Sequence, residues 1–209
     1  MDPELIGLYS GEGAILVATD GKMIGRWGSR SFFGAVTGSS YDNVTDAVHF
    51  QATGDSLEKS SGSLLSFAIS DGLFKDKLTA TVDHSDGTSQ SVSYHNSKAV
   101  SGLSVSQLNG EFTLKTDPEI SIRISNGAIS NPTLVSSTCV AAGNVEFIGS
   151  SYYETEMELS GSNCSAAGSY TGYMAVNYGG NFCNDGADYW LLVASNDKTN
   201  SLVTCMTEQ

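Results

Sequence analysis

Apolar and polar residues alternate with a period of two along much of this chain. Ile120, Ile122 and Ile124 are interleaved with Ser121, Arg123 and Ser125. Tyr153, Thr155, Met157 and Leu159 are interleaved with Glu154, Glu156 and Glu158, and Leu65, Phe67 and Ile69 with Ser66, Ala68 and Ser70. Successive side chains of an extended strand point to opposite faces, so these runs predict antiparallel strands with one buried and one solvated face. Helical periodicity never persists for three turns. The pairs Asp20-Gly21, Asp71-Gly72, Asp86-Gly87, Asn126-Gly127 and Asp185-Gly186 tolerate the positive φ of tight hairpins. Strands and turns at such short intervals predict an all-β chain of the up-and-down barrel or sandwich type.

The pattern also repeats. Leu5-Ile6-Gly7-Leu8-Tyr9 is echoed by Leu108-Asn109-Gly110-Glu111-Phe112, each a Leu-x-Gly-x-aromatic opening followed by an apolar strand and a turn at Asp20-Gly21 or Asn126-Gly127. Farther on, Val48, Phe50 and Ala52 before Gly54 correspond to Thr155, Met157 and Leu159 before Gly161. The reading is an internal duplication: two tandem antiparallel β-modules, residues 1–101 and 102–209, joined through the polar stretch 96–106.

Composition adds a compartment. Charged residues make up 16% of the 209, and Ser, Thr, Asn and 23 glycines supply solvated faces and turns without charge, which suits an exported β-protein. All four cysteines, Cys139, Cys164, Cys183 and Cys205, fall in the second half without the CxxC spacing of zinc or redox sites. Their even number points to two disulfides and an oxidising compartment. The sequence-local pairs, Cys139 with Cys164 and Cys183 with Cys205, are expected because each would join neighbouring strands. The net charge of −13 and the lack of any basic cluster argue against nucleic acid or anionic lipid as partners. No apolar stretch approaches the ~20 residues that span a bilayer. Met1-Asp2-Pro3 reads as an added start, so an exported chain would have lost its targeting segment.

A module that opens on Gly-x-aromatic and continues as a meander of hairpins resembles the lipocalin-like and transferrin-binding-protein-like β-barrels of bacterial surface lipoproteins. The second half is similar to a module of proteobacterial lipoproteins through Asn126-Gly127-Ala128-Ile129, Cys139, Cys164 and Tyr170-Thr171-Gly172. Cys183 and Cys205 lie outside that pattern. The resemblance implies a fold and a location at the outer membrane, periplasm or cell surface, with the membrane reached only through a lipid anchor; it implies no activity.

Candidate chemistry is sparse. His49, His84 and His95 are the only imidazole bases, there is no GxSxG elbow, and His49 shares a strand face with Ala47 and Gln51, as a solvated strand residue would. Asp83, His84, Asp86 and His95 flank one predicted hairpin turn in a spacing that matches no metal-ligand motif. Glu154, Glu156 and Glu158 recur on one strand face about 6 to 7 Å apart, a separation open to a glycosidase pair but better explained as a solvated acidic face. Asn43-Val44-Thr45 and Asn163-Cys164-Ser165 match the N-glycosylation sequon, which matters only if the source is a secretory eukaryote and carries no meaning in a bacterial protein. Binding is expected around the loop from Asn177 to Phe182 and the strand beyond it, where Tyr178, Phe182, Tyr189 and Trp190 supply rigid aromatic anchors among Gly and Asn. The expectation is therefore a non-enzymatic, extracytoplasmic binding or interaction protein without cofactor or metal, its partner an unidentified protein or glycan. The alternatives are a secreted glycan-processing enzyme with a carboxylate-only site and a barrel-type carrier of a small apolar ligand.

Overall fold

The computed structural model describes residues 7–11, 13–27, 30–35, 43–53, 56–71, 77–83, 89–97, 104–115, 118–132, 138–148, 152–176, 189–196 and 201–209. The chain divides into two compact units, and both are all-β. Of the two architectures expected, each unit adopts the barrel: its strands follow chain order and the first pairs with the last.

The first unit comprises β1 (Gly7–Gly11), β2 (Gly13–Val17), β3 (Lys22–Trp27), β4 (Arg30–Ala35), β5 (Asn43–Thr53), β6 (Ser56–Asp71), β7 (Lys77–Asp83) and β8 (Ser89–Ser97). Closure sets Leu8 opposite Ser97 and Tyr9 opposite Asn96. Asp20-Gly21 makes the expected turn between β2 and β3. The Ala18 amide donates to the Lys22 carbonyl at 2.8 Å, the Lys22 amide donates to Asp20 Oδ1 at 3.0 Å, and Gly21 takes φ 86°. Ala14, Ile15, Leu16, Val17 and Ala18 are all buried, so β2 reads as an unbroken apolar run because both its faces are covered.

The second unit opens on a 3-10 turn, Val105–Leu108, and continues through β9 (Gly110–Leu114), β10 (Ser121–Ser125), β11 (Ala128–Ser130), β12 (Val140–Phe147), β13 (Tyr152–Ser160), β14 (Gly168–Val176), β15 (Tyr189–Ser195) and β16 (Ser201–Glu208). Asn126 and Gly127 both take positive φ, 49° and 84°, as the two central residues of a mirror-type hairpin turn must. Pairing of β16 with β9, Met206 opposite Leu114 and Glu208 opposite Phe112, closes the barrel.

Alternation puts Ile122, Ile124, Val145, Tyr153, Met157, Leu159, Tyr170, Met174, Leu191, Val193 and Met206 inside, in one contiguous buried core. At this strand number an interior is just wide enough to be filled by side chains, and these side chains pack together within it. The 3-10 turn stops one end. Leu108 is buried in the core, the Tyr153 hydroxyl donates to the Ser104 carbonyl at 3.2 Å, and the Tyr189 hydroxyl donates to the Gln107 carbonyl at 2.8 Å. Tyr189 also meets Phe112 edge-on, with ring centroids 5.4 Å apart.

Two inward glycines let the wall bend. A Cβ on Gly143, which sits at φ 154°, would lie 2.1 Å from the Glu156 carbonyl oxygen, and one on Gly172 would lie 2.1 Å from that of Leu192. Only a residue without a side chain lets neighbouring backbones come so close.

Thr155 is the discordant member of its face. It is fully buried, and its Oγ1 has no hydrogen-bond partner among the described residues. A buried hydroxyl left unbonded costs about 1–3 kcal/mol. Thr155→Val, which removes the hydroxyl at nearly constant shape, is therefore expected to raise unfolding stability by about 1 kcal/mol in urea titration. A loss of stability would show that the hydroxyl is bonded.

The repeated motifs fall on equivalent strands. Gly7 and Gly110 begin the first strand of their barrels, Asp20-Gly21 and Asn126-Gly127 join the second strand to the third, and Val48, Phe50 and Ala52 lie on the fifth strand as Thr155, Met157 and Leu159 do.

Candidate functional site

A polar surface of the second barrel lies on the outside of β12, β13 and β14. It follows from the same alternation that fills the interior: with Tyr153, Thr155, Met157 and Leu159 inside, Glu154, Glu156 and Glu158 face out, and all three are exposed. Register supplies their neighbours. Glu154 lies between Glu146 and Tyr173, Glu156 between Asn144 and Thr171, and Glu158 between Ala142 and Ser169. A groove of about 300 Å³ runs over this face, lined by Asn144, Glu156, Glu158, Ser169, Thr171 and Asn196 above the buried Tyr170. Tyr170 is fixed beneath it by donation of its hydroxyl to the Ala166 carbonyl at 2.7 Å, and Thr171 Oγ1 donates to Asn196 Oδ1 at 3.4 Å.

The face is electrically one-sided. Between Arg123 and Lys198 the sequence contains no Lys, Arg or His, while Glu146, Glu154, Glu156 and Glu158 all project from β12 and β13. Like charges directly opposite on adjacent strands, as Glu146 and Glu154 are, oppose pairing by a few tenths of a kcal/mol to about 1 kcal/mol. Carboxylates, side-chain amides and hydroxyls on this face can accept from and donate to polyhydroxylated or cationic groups. The carboxylates stand exposed on the outer sheet surface.

The aromatic residues singled out from composition are placed differently. Trp190 is fully buried, in register with Ala175 and Cys205, so as the chain stands it offers no ring face to a partner. Tyr189 is only partly exposed, and its hydroxyl and ring are spent on the stopper at the barrel end. Trp190 is thus packed as a core ring is, whereas Tyr189 keeps part of its surface outward. Tyr178 and Phe182 lie outside the described residues.

Of the disulfides, Cys139–Cys164 is present, with Cα atoms 4.8 Å apart, and ties the start of β12 to the turn after β13. Both sulfurs belong to the buried core. Cys205 is disulfide-bonded as well, and Cys183 lies outside the described residues.

The suggested metal cluster does not assemble from its described members. Asp83 pairs with Ser89 at the turn end of β7–β8 and His95 with Lys77 at the other, about 20 Å away at ~3.3 Å per residue. His84 and Asp86 lie outside the described residues. His49 sits on β5 opposite Phe32.

Sequence reasoning found the glutamates and missed the groove they border. Its other wall comes from strand register, which brings Asn196 and Thr171 together across 25 positions. No known family, curated protein or solved structure matches the chain.

Proposed function

We propose that this chain is a non-enzymatic, extracytoplasmic binding or interaction protein, the ectodomain of a bacterial outer-membrane lipoprotein built from two diverged copies of one barrel module. The observation that carries the reading is the Cys139–Cys164 disulfide inside the core of the second barrel, since disulfides persist in oxidising compartments and are rare in the cytosol. The packed interior favours recognition from outside over carriage of an apolar ligand in the second barrel, because the core side chains occupy the space such a ligand would need. Its partner, a protein or a glycan, then meets outward side chains such as Asn144, Glu156, Thr171 and Asn196. The net charge of −13 over the whole chain disfavours nucleic acid and anionic membrane surfaces, so contact with the bilayer passes through a lipid anchor.

The glycan-processing enzyme is the rival with a stated site, the glutamates of β13. Incubation with bacterial cell-wall polysaccharides, followed by a reducing-sugar assay, separates the two. No release of sugar is expected; sugar release that Glu156→Gln abolishes would overturn the non-enzymatic reading.

A further inference from the structure

We draw no further inference here: the strongest candidate, the glutamate-lined groove on the outer face of β12, β13 and β14, belongs to the site already described and is a carboxylate cluster with no second observation that points to a ligand.

Discussion

Gly143→Ala and Gly172→Ala are each expected to unfold the second barrel or leave it marginal. In both cases the new methyl would meet a carbonyl oxygen and a Cα of the adjacent strand, backbone atoms that cannot rotate away as a flexible side chain can. Overpacking of this kind costs roughly 1–3 kcal/mol. At Gly143 the backbone adds its own penalty, because φ 154° lies in a region that residues with a Cβ rarely adopt, worth a further ~1–3 kcal/mol. The expected loss is therefore about 3–5 kcal/mol for Gly143→Ala and somewhat less for Gly172→Ala, out of the ~5–15 kcal/mol typical of a domain. Urea unfolding read by near-ultraviolet circular dichroism measures it, with Ser130→Ala at the exposed end of β11 as the control expected to change stability by under about 0.5 kcal/mol. A Gly143→Ala variant as stable as that control would mean that the wall bends elsewhere.

Removal of the Cys139–Cys164 disulfide is the second large effect. The bond spans 25 positions, and the chain-entropy account assigns a loop of that size about 3.5 kcal/mol of stabilisation through restriction of the unfolded chain. The Cys139→Ala/Cys164→Ala variant also leaves two small gaps in the core, so its loss is expected to reach at least about 3 kcal/mol. For a barrel of this size that corresponds to a fall in Tm on the order of 10 to 20 °C. Parent protein reduced with dithiothreitol, which also opens the disulfide of Cys205, should fall by at least as much. A change below about 2 °C in both would show that the disulfide is dispensable and remove its weight as a compartment marker.

What the sequence makes legible is local. Period-two alternation on β10 and β13 is enforced by the pleat itself, and it places Ile122, Ile124, Tyr153, Met157 and Leu159 on the inside, where they are buried. The Asn126-Gly127 turn is equally local, since it needs only two residues able to take positive φ. The Cys139–Cys164 pairing follows from chain proximity and the order of strands.

What escapes is set by distant pairing. A barrel and a sandwich show the same alternation, and closure through Phe112 and Glu208 joins residues at opposite ends of the second unit. Alternation also fails where both faces of a strand are covered. Tyr152 shares the outward face of Glu154, yet it is fully buried and stacks edge-on with Tyr173, ring centroids 5.3 Å apart. Trp190 and Leu192 are outward on β15 and buried in the same way, so the burial of Trp190 is not legible from alternation. The groove is hidden for a related reason. Ser169, Thr171, Asn144 and Asn196 carry no distinctive spacing, and only the register of four strands sets them beside Glu156 and Glu158.

A location outside the cytoplasm is tested directly by the protein's fractionation and thiol state in its own cells. Intact cells of the source organism would be quenched in acid, alkylated without reduction, fractionated, and the protein analysed by mass spectrometry. Recovery in the outer-membrane or periplasmic fraction is expected, with Cys139 joined to Cys164 and none of the four cysteines alkylated. Recovery from the cytosol with all four cysteines alkylated would contradict it.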